Sequence, residues 1–248
     1  EELARSNAEL DAFAYVASHD LKEPLRAMYN HAAFLLKDAG DRLAPEDTQR
    51  SESIIRLVKR TRELIDALLD YSRAGRLEAQ LAETDLGLLL ERVQEQIGPR
   101  IREARAELKV GALPSVRAVP VMLEQVFTNL LTNALKYSER APHVEVGAIA
   151  AGDAAFPARA LGTSHAFYVR DDGIGIQARH LETVFTIFKR LHAQDKFGGG
   201  SGAGLTIVKK LVERMNGEVW LESEPGVGTT AWFCIGRETT NERASHGF

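Results

Sequence analysis

Of the 248 residues, 44% are apolar and 27% charged, the balance of a globular protein long enough for one large domain or two ordinary ones. The 31 Lys and Arg against 35 Asp and Glu give a net charge of −4, and without a basic block nucleic acid is not an expected partner. Cys234 is the only cysteine, so an internal disulfide and a cysteine-built zinc site are both excluded, and it reads as a buried strand thiol in a reducing compartment.

The chain opens on Glu1 inside a helical pattern and not on Met, which we read as a fragment whose upstream sensor domain is missing. No apolar run approaches the roughly 20 residues of a membrane span. The fragment is therefore expected to be cytoplasmic, with membrane attachment of the full-length protein left open. Leu3, Ser6, Leu10, Phe13 and Ala17 follow the rhythm of a coiled-coil seam and lead into FAYVASHDLKEPLRAM, Phe13 to Met28, centred on His19. Pro24 removes a backbone donor and is expected to kink this helix, giving an incoming signal a bend to act on. DAGDRLAPED breaks the pattern, and a second helix follows over about 45–72 with Ile54, Val58, Ile65, Leu68 and Leu69 on one face. Such a hairpin buries too little alone, so two copies are expected to pair as a four-helix bundle. Ser51 interrupts the apolar stripe and reads as a locally solvated position.

A polar stretch from Arg73 marks a boundary, so the expected division is 1–78, a helical dimerisation domain; 79–238, an α/β sandwich; and 239–248, a polar tail. In the second domain, residues 86–107 read as a helix broken near Gly98 and Pro99. Residues 107–111 and 115–119 read as short strands, and 120–138 as a strong helix with Pro120 near its start. Residues 143–149 and 166–170 alternate as strands, 204–216 form a helix opening from a glycine cluster, and GEVWLESE with GTTAWFCI form a terminal hairpin. Trp220 and Trp232 are expected to pack that hairpin onto the sheet. His31, His143, His165, His180 and His246 read as surface residues, and His192 as a lid residue able to touch phosphates.

Three features carry chemistry. Asn129 and Asn133 project from one helix face with Lys136 and Tyr137 a turn beyond, polar groups that are costly on an apolar helix unless a ligand meets them. DDGIGI, Asp171 to Ile176, follows a strand; its glycines let the backbone approach a flat ligand and Asp171 can accept from an exocyclic amine. FGGGSGAGL, Phe197 to Leu205, can turn backbone N–H groups toward phosphate at a helix start. It matches neither a P-loop nor a Rossmann turn.

In this order the asparagine pair, DDGIGI and the glycine loop resemble the N, G1 and G2 boxes of the histidine-kinase ATPase family, whose fold is shared with Hsp90, gyrase B and MutL. VFTIFKRLH resembles its F box, and SHDLKEPLR, Ser18 to Arg26, its phosphoacceptor H box, with wording similar to phytochrome-type kinases. The resemblance implies that His19 is phosphorylated by ATP, with Asp20 as adjacent base or orienting carboxylate. It implies that Asn133 ligates Mg²⁺ with Asn129 nearby, that Lys136 meets phosphate and that Tyr137 flanks the nucleotide. Asp171 would read the adenine amine in a pocket shaped by Gly173 and Gly175. Gly200, Gly202 and Gly204 would hold the phosphates, and Phe188, Arg190 and Leu205 would complete the ATP site, with about 186–201 as a mobile lid.

The implied activity is ATP-dependent autophosphorylation and transfer to an aspartate of a response regulator, within a homodimer. Two departures stand out: Glu23, where phosphatase-active relatives carry Thr or Asn, and Ala203, where Ile or Leu is usual. A response-regulator phosphatase with weak kinase activity and a non-catalytic nucleotide-binding dimerisation scaffold are the alternatives. An Hsp90-like or gyrase-like ATPase would share the pocket but has no place for the H-box hairpin.

Overall fold

The computed structural model describes residues 2–74, 80–189, 191 and 201–236, with the backbone alone at 2–19, 41, 73 and 74. The chain parts into two compact units, one dominated by the residues before about 76 and the other by those after it.

The first unit is a helical hairpin. Helix α1 (Glu2–Ala39) and helix α2 (Pro45–Ala74) are joined by a short 3-10 turn, Gly40–Arg42. Pro45 with Glu46 and Asp47 in the first turn suits a helix N-terminus, where the missing donor costs nothing and negative charge meets the dipole. The helices run in opposite directions, as the pairs Lys22–Asp66 at 2.6 Å and Lys59 over the Tyr29 ring at 5.8 Å show. Ala32, Val58, Ile65, Ala67 and Leu69 are buried between them. Helix α1 includes Pro24 without a break, a continuity that a kink there would not disturb. One expectation is corrected here. Ser51 is only 3% exposed, so solvation does not account for it; its small side chain sits on the packed side of α2.

The second unit layers three helices on one face of a mixed sheet. Its elements are β1 (Ala82–Asp85), α3 (Leu86–Ala104), β2 (Glu107–Val110), β3 (Ser115–Ala118), α4 (Pro120–Lys136), β4 (His143–Ala150), β5 (His165–Asp171), α5 (Gly204–Arg214), β6 (Glu218–Glu224) and β7 (Gly228–Cys234). The main sheet has the order β2-β4-β5-β7-β6; β2 and β4 are parallel and the other pairs antiparallel. Strands β1 and β3 form a separate antiparallel pair, and β1 was not foreseen because AETD has no apolar alternation.

Helix α3 also runs unbroken through Gly98 and Pro99, contrary to expectation. Asp85 caps it by accepting the Leu88 N–H at 3.0 Å, and Leu86, Leu89, Leu90, Val93 and Ile97 are buried. Past Pro99 the half-buried Ile101 and Ala104 continue the same face, so packing extends beyond the proline.

Register sorts the strand residues between two faces. Phe167 pairs with Phe233, their rings 5.1 Å apart, and Phe127 of α4 meets Phe233 edge-on at 5.4 Å, forming the core under the helices. The next register pair, Tyr168 and Trp232, points the other way. There Trp220 and Trp232 stack at 6.0 Å, and Cys234, Ala166 and Ala160 complete a second cluster covered by Phe156 of the β4–β5 loop. Both tryptophans and Cys234 thus pack as expected.

Candidate nucleotide site

The asparagines are half-buried at one edge of the α4 stripe formed by Met122, Leu123, Val126, Phe127, Leu130, Leu131 and Ala134, beside Met122 and Val126. Asn129 donates to the Gln125 carbonyl at 2.9 Å, which turns its Oδ1 toward the first residue of α5. A Cβ at Gly204 would stand 3.3 Å from Asn129 Oδ1 and 3.7 Å from Asn133 Nδ2. The α5 N-terminus, with its outward N–H groups, thus lies close against both amides. The Asn133 amide has no hydrogen bond among the described residues. Lys136 Nζ lies 4.9 Å from the Tyr137 ring centre, at the C-terminal end of the same helix.

Asp171 ends β5. Its Oδ1 accepts two backbone N–H groups, Gly173 at 2.9 Å and Thr229 at 3.2 Å, while Oδ2 makes no hydrogen bond among the described residues. Burial pushes its pKa from 3.8 to about 6, against the lowering effect of those two N–H bonds, with the neighbouring Asp172 charge adding to the rise. The following turn is clamped from both sides. Tyr137 O accepts the Ile174 N–H at 2.9 Å, Ile174 O accepts Gly226 N–H at 2.9 Å, and Ser223 Oγ accepts the Ile176 N–H at 2.8 Å. A Cβ at Gly173 would lie 2.3 Å from Tyr137 O, and one at Gly175, which has φ +67°, 2.0 Å from Glu224 O. Both glycines are therefore dictated by backbone approach.

Phe188 is 42% exposed and adopts φ +62°, a rare conformation for a non-glycine residue. The short 3-10 turn before it, Thr183–Phe185, is tied to α5 where Thr206 Oγ1 donates to Phe185 O at 2.9 Å. Leu205 is the second residue of α5, and Gly202 has φ +73°. Arg190, His192, Gly200 and most of the expected lid lie outside the described residues. In the first unit the backbone places His19 within α1, and Asp20 and Glu23 are exposed; the His19 imidazole also lies outside what is described.

Sequence reasoning missed the residues that hold the site in shape. Thr229 and Ser223 reach it only through β7 and β6 register. His143 is exposed, as expected of a surface residue, and its Nδ1 stands 2.9 Å from Asp172 Oδ2. His165 Nδ1 is buried without a hydrogen bond among the described residues and its ring stacks on Phe167 at 6.1 Å, so His165 is not the surface residue expected.

Comparison with known proteins agrees with this arrangement. Residues 9–77 match the His Kinase A (phospho-acceptor) domain and residues 118–239 the histidine kinase-, DNA gyrase B- and HSP90-like ATPase. The chain belongs to the histidine kinase family. Cyanobacterial phytochrome B of Nostoc sp. is 44% identical over 94% of this chain, and the phytochrome-like protein Cph1 of Synechocystis sp. is 37% identical over 94%. The chain spans only 30% of the length of each. Full-length ShkA, solved in complex with AMPPNP, superposes with a TM-score of 0.62 at 26% identity over 92% of this chain and 47% of that one. Among the described residues of this histidine kinase chain no helix is long and apolar enough to cross a membrane.

Proposed function

We propose that this chain is the catalytic core of an ATP-dependent protein-histidine kinase that phosphorylates its own His19 and passes the phosphoryl group to an aspartate of a response-regulator receiver domain, acting as a cytoplasmic homodimer. The observation that carries the reading is Asp171: a mostly buried carboxylate fixed through one oxygen, with the other open, in a turn too tight for any side chain at Gly173 or Gly175. That geometry suits the exocyclic amine of adenine held flat against backbone.

The residues present fit ATP and Mg²⁺. Asn129, Asn133 and the α5 N-terminus gather beside Gly204, offering an amide ligand for a hard cation and N–H groups for phosphate. Mg²⁺ would supply charge neutralisation on the phosphates. Asn133 would hold it, Lys136 would meet phosphate, and Tyr137 would flank the base. Phe188, Arg190, Gly200, Gly202 and Leu205 belong to the same site in this reading. At His19 the neutral imidazole would attack the γ-phosphate while ADP leaves, with Asp20 orienting the ring or taking its proton.

Incubation with γ-labelled ATP and Mg²⁺ tests this. The expected result is acid-labile, alkali-stable label on the parent chain that is absent from His19→Gln. Labelling that survives His19→Gln would reject the assignment of the phosphoacceptor. ATP binding without labelling would favour the phosphatase or scaffold alternative.

A further inference from the structure

Beside the adenine turn, three donors converge on one carboxylate that the nucleotide reading does not use. Asp172 follows Asp171 at the end of β5, so the two side chains leave in different directions. Asp172 Oδ1 accepts the backbone N–H of His143 at 2.9 Å. Its Oδ2 meets His143 Nδ1 at 2.9 Å and Arg140 Nη2 at 3.0 Å. Both partners belong to the connection between α4 and β4. That connection is itself folded onto neighbouring structure. Ser138 Oγ donates to Arg140 O at 2.8 Å, Glu107 N–H donates to Pro142 O at 2.9 Å, and His143 Nε2 lies 3.6 Å from Glu107 Oε2 on β2.

The connection starts at Tyr137, whose carbonyl accepts the Ile174 N–H. The segments 137–143 and 171–174 are therefore laced together at two places, once by backbone and once by Asp172. Desolvation raises the pKa of the Asp172 carboxyl, but the bonds from His143 and the Arg140 and His143 charges outweigh it and hold it below its ordinary value. The carboxylate thus stays ionised wherever the turn is formed near neutral pH. Arg140 is 70% exposed, and an exposed ion pair alone contributes little to global stability. The backbone N–H and imidazole of His143, gripping both oxygens, add direction to that pairing.

We propose that Asp172, through His143 and Arg140, is a positioning residue for nucleotide recognition. It fixes the α4–β4 connection so that Tyr137 O holds Ile174 and Asp171 keeps its open oxygen toward the base. The proposal rests on the nucleotide reading above for its functional consequence, whereas the positioning itself is visible without nucleotide.

Two readouts on the whole chain test it. Amide hydrogen exchange at Ile174 without nucleotide is expected to quicken about tenfold or more in Asp172→Ala, with α3 unchanged. In autophosphorylation, the ATP KM is expected to rise about tenfold while the rate at saturating ATP stays within about twofold. Asp172→Asn, which keeps an oxygen for the His143 N–H, should recover part of both effects, and Arg140→Ala should give a smaller version. Parental exchange at Ile174 with parental KM in Asp172→Ala would overturn the proposal and leave the nucleotide reading standing. Loss of protection spread across the whole sheet would also overturn it, by showing a general structural role. A parent chain that neither binds ATP nor becomes labelled would defeat the nucleotide reading and the KM claim with it, while exchange at Ile174 would still decide the positioning.

Discussion

Asp171 shows how one side chain can be tuned by its place at a strand end. Burial raises its pKa to about 6, so between roughly pH 4 and pH 6 the folded state keeps a proton that the unfolded chain has lost. Stability is therefore expected to fall as pH rises through that window. Nucleotide binding should run the opposite way, because an amine donor favours the ionised carboxylate, so affinity should strengthen as pH rises through about 6. Calorimetric titration with ATP at about pH 5 and about pH 7.5, on the parent and Asp171→Asn, checks this. The nucleotide's own phosphate titration is common to both proteins, so the expected result is a steeper pH dependence in the parent and at least about tenfold weaker binding at neutral pH in the variant. Equal pH dependence in the two would remove Asp171 from base recognition. Asp171 was legible as a candidate because its type and its glycine neighbours point to one chemistry. Its two N–H partners were not, since Thr229 is 58 residues away in the chain.

At the scale of elements, the 171–176 turn is a short rigid bracket between the end of α4 and the β6–β7 hairpin. Its backbone bonds to Tyr137 and Gly226 leave no room for adjustment. Gly173→Ala would place a methyl 2.3 Å from Tyr137 O, and backbone on both sides must then shift. We expect loss of measurable ATP binding and a lower unfolding temperature, by several degrees for each ~1 kcal/mol lost. Parental ATP affinity in this variant would mean that the turn is not the binding element. Helix α3 teaches a complementary lesson about proline. Gly98 and Pro99 predicted a break from local geometry, yet the helix continues through them. Past the proline, half-buried Ile101 and Ala104 extend the face of Leu90, Val93 and Ile97; a count of residues around the proline could not show that.

For the whole molecule, the helical hairpin leaves much apolar surface uncovered. Phe34 is 57% exposed, Ile54 46% and Leu57 59%, which supports the proposed pairing of two chains. Ile54 and Leu57 lie one turn apart on α2. Replacing both with Glu is expected to convert a dimer to a monomer in sedimentation velocity while leaving ATP binding intact; an unchanged dimer would place the contact elsewhere. By itself the sequence determined the alternation of helices and strands, the glycine turns, the asparagine pair on α4 and the histidine motif around His19. These depend on local periodicity and on residue types whose chemistry does not change with context. Only the tertiary structure decided that Ser51 is buried, that β1 exists to pair with β3, that His143 grips Asp172, and which of Asp171's oxygens stays open. Each of these depends on partners distant in the chain, brought together by sheet register and helix packing, and no local pattern encodes which of them will meet.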